Sequence, residues 1–249
     1  MLNPILDHRS IRKYKSNPIP ENILNNILEA GFRASTTGNM QVYSIIVTKD
    51  ADKRKQLCGI HFNQKMVEEA PIVLTFCADF NRFNKWCELR QTKPGYDNFL
   101  SFFTAAIDAL LAAQNVAIAA ETNGLGICYI GTTTYQADKL IDFFKCPKGV
   151  IPITTLVIGY PNETPELTDR LPYQGIVHNE IYTDYSSDSI DEIYKTKESL
   201  PQTAELLKIN QLDNLAQIFT QKRYTKKDNI LFSELFLKAI QQQGFMNNK

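Results

Sequence analysis

The sequence has few of the features that mark disulfide-bonded, metal-binding or strongly charged proteins. Its five cysteines in 249 residues are an odd number without a Cys-x-x-Cys pair, so neither a disulfide framework nor a structural zinc site is expected. Lysine plus arginine and aspartate plus glutamate number 27 each, without the basic excess of a general binder of nucleic acid or anionic membranes. The first seven residues do not resemble a signal peptide. We therefore expect a cytoplasmic protein that binds neither nucleic acid nor membrane.

Familiar catalytic motifs are also missing. The chain contains no Gly-x-Ser-x-Gly, His-Glu-x-x-His, P-loop or Gly-x-Gly-x-x-Gly sequence, which removes the usual signatures of hydrolases, zinc proteases and dinucleotide-binding folds. The three histidines, His8, His61 and His178, are scattered, and His61 near Cys58 does not make a metal site without further ligands. If the protein is an enzyme, a bound organic cofactor is expected to carry the difficult chemistry.

The hydrophobic pattern predicts an α+β (α/β-like) domain in which helices alternate with four or five short strands. Helices are predicted at 20–34, 50–58, 63–70, 99–121, 135–145 and 232–243, and strands at 42–48, 72–78, 126–131 and 153–160. We interpret residues 1–161 as the core, with an excursion at 80–98. Residues 162–249 are interpreted as an extension that wraps the core or a partner subunit and is not an independent domain.

The segment 99–121 is the strongest predicted helix. Its length approaches that of a membrane span, but four polar side chains interrupt it: Asp108, Gln114, Asn115 and Glu121. Such groups are costly inside a bilayer. A helix that is apolar nearly all round is more simply the buried central helix of a soluble domain. Its many alanines also allow close approach of another helix, so a subunit interface along it is consistent with the pattern.

A run near the N-terminus, His8-Arg9-Ser10-Ile11-Arg12, is the first candidate site. In an extended segment His8, Ser10 and Arg12 fall on one side and Arg9 and Ile11 on the other. Two guanidinium groups with planar, paired N–H donors suit a phosphate or an anionic heterocycle. The alternative is a solvated strand or loop.

Four more segments are candidates. The loop 35–41 offers hydroxyls, amides and backbone N–H groups, including those of Ser35 and Thr36. The segment 124–133 is a strand that ends in glycine and hydroxyl residues before a helix, an arrangement typical of phosphate sites. Arg170 lies in a proline-flanked loop, and Arg223 lies in a basic stretch at 222–227. The alternatives are an ordinary loop for 35–41, a helix cap for Gly124 and a solvated face for the basic stretch 222–227.

Taken together and in this order, these segments resemble the FMN-dependent nitroreductase superfamily, close to its NADPH-dependent oxygen-insensitive nitroreductase and flavin reductase branch. The residues that carry the resemblance are 8–12, 34–41, 63–65, 77–82, 113–115, 124–126, 129–131, 159–161 and 170–172.

The resemblance implies a nitroreductase fold, with a central mixed sheet flanked by helices in an intertwined homodimer. It implies non-covalent FMN at the subunit interface and NADPH, or NADH, as reductant. Nitroaromatics, quinones or free flavin would be the small-molecule acceptors, reduced by a ping-pong mechanism without a catalytic side chain. The implied cofactor-binding residues are His8, Arg9, Ser10, Ile11, Arg12, Ser35, Thr36, Gln64, Tyr129, Ile130, Gly131, Thr132, Arg170 and Arg223.

Two points distinguish this chain from the family pattern. Relatives often carry Lys-x-Arg where this chain has Thr168-Asp169-Arg170, so an acidic residue precedes the arginine. Arg223 is the best match to the basic loop that grips the NADPH 2′-phosphate in relatives.

Two alternatives stay open: a non-catalytic flavin- or nucleotide-binding protein, which Asp169 favours, and a nucleic-acid-associated module built on residues 222–227, which zero net charge disfavours.

Overall fold

The computed structural model describes residues 4–247 and divides into two compact units. The first unit comprises the residues up to Glu166 and those from Phe232 onward, and the second comprises Leu167–Leu231. The terminal segment, which belongs to the predicted extension 162–249, groups with the first unit.

The first unit is built on a four-stranded sheet. Its strands are β1 (Tyr43–Thr48), β2 (Ile72–Asp79), β3 (Gly126–Ile130) and β4 (Val150–Gly159), in the order β1-β2-β4-β3. The strand number and the α+β class are confirmed. The sheet was predicted to be mixed, but all three strand pairs are antiparallel. Within residues 4–247, parallel pairing is limited to an isolated bridge between Ser10 and Ile127. An apolar run has the same pattern in either direction, so the sequence did not determine strand polarity.

Five of the first six helices lie in segments that the hydrophobic spacing predicts as helical, whereas the fourth lies in the segment 80–98 that was interpreted as an excursion. The six are α1 (Glu21–Phe32), α2 (Ala51–Ile60), α3 (Lys65–Glu69), α4 (Asn81–Leu89), α5 (Phe99–Thr122) and α6 (Ala137–Phe144). The side chain of Asp50 caps α2 by accepting from the Lys53 N–H at 2.9 Å. Gly124 follows α5 with a φ of 74°, a left-handed conformation that glycine adopts without steric cost.

Helix α5 is the central helix of the first unit. It packs against α1 and the sheet, and one face contributes mainly small alanines to the hydrophobic core. Among residues 4–247 it is the one helix long and apolar enough to cross a membrane, and half of its apolar stretch is buried within the protein. Its other face carries exposed apolar side chains, which are Phe99, Leu100, Phe103, Ile107, Leu110 and Leu111.

The segment 80–98 differs from the predicted excursion. It contains α4, and Phe80 is buried and stacks on Tyr96 with ring centroids 4.9 Å apart. Phe80 also meets Phe245 edge-on at 6.5 Å. The charged, exposed side of α4 hid this aromatic contribution to the core in the sequence pattern.

The second unit consists mainly of helices. These are α7 (Ser187–Glu198), α8 (Pro201–Asn210) and α9 (Leu215–Ile218), followed by a π-helical turn at Phe219–Arg223. Ile193, Leu215 and Ile218 are buried. The last helix, α10 (Lys226–Gln242), crosses the boundary between the units.

Candidate functional site

The N-terminal run lies alongside β3. The Ile11 N–H donates to the Ile127 carbonyl at 2.8 Å, and Ser10 forms the parallel bridge with the same residue. The Ile11 side chain is buried and packs over Gly126, where an added Cβ would approach it to 2.6 Å. With Ile11 facing the core, Arg12 is exposed, as the alternation of an extended segment predicts.

His8 is paired with a carboxylate from α5. Its Nδ1 lies 2.7 Å from Glu121 Oε1. Burial raises the pKa of Glu121, and the hydrogen bond with His8 opposes that rise. The Tyr129 hydroxyl donates to Gln114 Oε1 at 3.3 Å. Burial and the nearby Glu121 raise the Tyr129 pKa, which keeps this phenol protonated at neutral pH.

The two arginines of the run have donors that are still available. Arg9 Nη1 donates to the Asp7 carbonyl at 3.1 Å, but its Nε is buried without a hydrogen-bond partner among residues 4–247. In the same part of the chain, the Arg12 guanidinium makes no recorded hydrogen bond or ion pair. Its backbone N–H donates to Glu163 at 2.5 Å. Such unpaired N–H donors suit an anionic ligand.

A second group of side chains lies where β3 ends. His61 Nδ1 and Gln64 Nε2 each lie 3.0 Å from the Thr132 hydroxyl oxygen. Gln64 Nε2 also donates to the His61 carbonyl at 3.1 Å. His61 is 0% exposed, and burial lowers its pKa to about 4, so the ring is neutral near pH 7.

The loop 35–41 is held by a buried carboxylate on α5. Asp108 is 1% exposed. Its two oxygens accept from the Thr37 N–H at 3.0 Å and from the Val42 N–H at 3.3 Å. In the described chain, no recorded hydrogen bond joins Ser35 or Thr36 to the N-terminal run. A cavity of about 640 Å³ opens along β1 between Met40, Gln41 and Arg82 and contains none of the predicted site residues.

The structure thus brings together two of the predicted groups. His8–Arg12 runs beside the start of β3, where Ser10 bridges Ile127. Tyr129–Thr132 form and follow the other end of that strand, where Gln64 contacts Thr132. Arg170 and Arg223 belong to the second unit. There Arg170 Nη1 donates to the carbonyls of Thr168 and Asp169 at 3.1 and 2.9 Å. The Arg223 guanidinium lies 5.7 Å from the Phe219 ring centroid.

Three residues of this region were not predicted as site residues. Glu121 and Asp108 were treated only as polar interruptions of a helix, and His61 was considered only as a metal ligand. Their partners lie 113, 71 and 71 residues away along the chain, so no local spacing marked them.

Comparisons with known proteins indicate one family. A profile of the Nitroreductase family matches residues 5–160. The FMN reductase (NADPH) of Bacillus subtilis is 35% identical over 183 residues, which cover 73% of this chain and 74% of that protein. A solved structure from Bacteroides fragilis NCTC 9343 is 51% identical with a TM-score of 0.97, and the match covers 99% of this chain and 100% of that one. The NADPH:FMN oxidoreductase of Vibrio harveyi, solved with NAD+, is 28% identical with a TM-score of 0.83, and covers 98% of this chain and 97% of its own.

Proposed function

Because this chain belongs to the nitroreductase family, we propose that it is an FMN-dependent oxidoreductase that uses NADPH, or NADH, to reduce nitroaromatics, quinones or free flavin. When bound, FMN supplies the hydride- and electron-transfer chemistry. The residues described above need only bind and orient it, and no side chain is assigned a catalytic role. The expected kinetics are ping-pong, since reductant and acceptor use the same flavin in turn.

The observation that carries this proposal is the set of unpaired donors beside β3. The buried Nε of Arg9 and the free guanidinium of Arg12 suit the phosphate of FMN, because arginine binds phosphate through paired N–H groups. His8, Ser10 and Ile11 belong to the same run. Gln64, Tyr129, Ile130, Gly131 and Thr132 would contact the rest of the cofactor. Ser35, Thr36 and Arg170 complete the proposed set for FMN on the strength of the family resemblance, and Arg223 is proposed on the same ground to bind the 2′-phosphate of NADPH.

We also propose a homodimer with FMN at the subunit interface. The exposed apolar face of α5 supports it, because Leu100 is 72% and Phe103 is 52% exposed beside four further apolar side chains. Contiguous exposed apolar surface commonly marks a protein interface. A cytoplasmic location is consistent with five cysteines that are all free thiols.

The acidic residue that favoured a non-catalytic protein has a partner of its own. Asp169 Oδ2 forms an ion pair with Lys197 Nζ at 2.7 Å, so its charge is balanced within the second unit. The departure from the family's Lys-x-Arg pattern therefore does not by itself argue against turnover.

The first experiment is an absorbance spectrum of the purified protein, followed by NADPH oxidation assays. We expect flavin absorbance, or recovery of it when FMN is added, and faster NADPH oxidation when a nitroaromatic or quinone is present. A protein that binds no FMN would contradict the proposal. FMN binding without NADPH turnover would support the non-catalytic alternative.

The arginines of the two units should have different effects. Replacing Arg12 with alanine is expected to raise the FMN dissociation constant by about 10-fold or more, since a charge-assisted hydrogen bond contributes about 1.5–3 kcal/mol. Replacing Arg223 with alanine should leave FMN binding nearly unchanged and reduce the preference for NADPH over NADH. FMN titration and the ratio of kcat/KM values measure the two effects. A larger loss of FMN affinity in Arg223→Ala than in Arg12→Ala would contradict the site assignment.

A further inference from the structure

The turn formed by residues 61–64, between α2 and α3, has an unusual backbone. Phe62 and Asn63 both have positive φ angles, 56° and 58°, a conformation that costs free energy in residues other than glycine. Two backbone hydrogen bonds to α2 hold the turn, from the His61 N–H to Leu57 at 2.9 Å and from the Asn63 N–H to Cys58 at 2.8 Å. The turn folds the Gln64 side chain back onto His61.

The Gln64 side chain uses all of its hydrogen-bond donors within the protein. Both amide hydrogens of Gln64 are used, one by the His61 carbonyl at 3.1 Å and one by the Thr132 hydroxyl oxygen at 3.0 Å. An amide nitrogen has two hydrogens. The Gln64 carbonyl oxygen, Oε1, is therefore the atom of this side chain that stays without a recorded partner in residues 4–247.

The same accounting favours one tautomer of His61. Suppose first that the Thr132 hydroxyl donates to Nδ1 of His61. Apart from Gln64 Oε1, the side chains of His61, Gln64 and Thr132 then have one unpaired group, the buried Nε2–H of His61. If instead Nδ1 carried the hydrogen, both Nε2 and the hydroxyl hydrogen would lack partners. Each unpaired buried polar group costs about 1–3 kcal/mol, so the first arrangement is favoured. Burial lowers the pKa of His61 to about 4, so the ring is neutral at pH 7 and one of its two nitrogens can accept.

We propose that His61 is a positioning residue of the flavin site, which acts through the Thr132 hydroxyl to hold the Gln64 amide with its carbonyl oxygen available to an N–H donor of the ligand. This inference rests on the proposed function, in which Gln64 and Thr132 contact FMN. The flavin ring system supplies N–H donors of this kind. Without the His61 ring, the Thr132 hydroxyl loses its acceptor and is no longer fixed as an acceptor for Gln64, so it can donate to Gln64 Oε1 instead. The backbone carbonyl of residue 61 then holds the amide nitrogen through one hydrogen bond rather than two.

The first test uses FMN titrations of cofactor-free protein. Thr132→Val removes the hydroxyl with little change in volume, and we expect the FMN dissociation constant to rise about 10-fold. The conservative variant Thr132→Ser keeps the hydroxyl and should recover most of the affinity. His61→Leu should reduce FMN affinity as much as Thr132→Val does. The double variant should bind FMN only a little more weakly than either single variant, because both substitutions break the same series of hydrogen bonds.

Thermal unfolding of the same proteins separates positioning from stability alone. If His61 had a purely structural role, the variants would have a lower Tm and Thr132→Ser would not restore FMN affinity. The losses of FMN affinity in His61→Leu and Thr132→Val would then be additive. Either result would overturn the proposal. If His61→Leu does not fold, the contrast between Thr132→Val and Thr132→Ser still decides the matter.

A second readout needs no cofactor. Nitrogen NMR of the His61 ring in cofactor-free protein should show Nε2 protonated and Nδ1 unprotonated at pH 7, with the Nδ1 signal shifted by Thr132→Val. A protonated Nδ1 would contradict the inference. Wild-type protein that binds no FMN would overturn the proposed function, whereas FMN binding that is equally tight in wild type, Thr132→Val and His61→Leu would overturn the role of His61 alone.

Discussion

Replacing Gly126 with alanine is expected to lower the free energy of unfolding by about 3 kcal/mol, toward the upper end of the cost of overpacking a core. A Cβ at this position would lie 2.6 Å from Ile11 Cγ1 and 2.8 Å from Ile11 Cβ. The second atom is next to the backbone and cannot swing aside. Ile11 is in turn bonded to Ile127 through its N–H at 2.8 Å. The added methyl group must therefore push the N-terminal run away from β3.

This substitution should also weaken FMN binding, since Arg9, Ser10 and Arg12 move with Ile11. Urea unfolding and FMN titration measure the two effects. Gly59→Ala is the matched control, because Gly59 lies in α2 with no atom within 4 Å of an added Cβ. A glycine-to-alanine change in a helix is expected to stabilise by about 0.5–1 kcal/mol. Equal stability of wild type and Gly126→Ala would contradict the packing of the run against β3.

Replacing Asp108 with alanine should lower the free energy of unfolding by about 3 kcal/mol, since hydrogen bonds to charged groups contribute about 1.5–3 kcal/mol each. The variant leaves the Thr37 and Val42 N–H groups without the two carboxylate oxygens that now accept from them. Val42 is fully buried, so water does not readily replace the lost acceptor. Asp108→Asn keeps one of the two acceptors and should lose about half as much.

The loop 35–41 is expected to become mobile in Asp108→Ala, with weaker FMN binding if Ser35 and Thr36 contact the cofactor. Hydrogen exchange of residues 37–42 measures the first effect directly. Asp142→Ala is the control, since Asp142 is exposed on α6 and should change stability by no more than about 0.5 kcal/mol. Unchanged exchange in Asp108→Ala would show that the carboxylate does not hold this loop.

Much of the fold could be predicted because helices and strands leave periodic patterns in sequence. Helix α5 was predicted at 99–121 and is observed at Phe99–Thr122, and α1 lies inside its predicted range. The start of β4 was missed by three residues, because Lys148, Gly149 and Pro152 give its first part the composition of a turn. The role of 80–98 was missed because the aromatic residues that join the core, Phe80 and Tyr96, are separated by the charged helix α4, which has no buried residue.

The candidate site could be predicted only in part. The His8–Arg12 run and the Tyr129–Thr132 segment were recognised from their residue types, and the structure places both along β3, the first beside its start and the second at its end. The side-chain contacts of His61, Glu121 and Asp108 could not be predicted, because they join residues 66 to 113 positions apart. Whether a buried polar side chain is an isolated cost or part of a hydrogen-bond set depends on those distant partners.

The sequence by itself determined the positions of the elements, the family, and the stretch in which two arginines stand near the N-terminus. These are local properties, set by residue spacing and type. The tertiary structure alone decided that Ile11 presses on Gly126, that the strands run antiparallel, and that His61, Thr132 and Gln64 share one set of hydrogen bonds. Such contacts depend on how the chain packs in three dimensions, because directional bonds and close packing join residues that the linear order keeps apart.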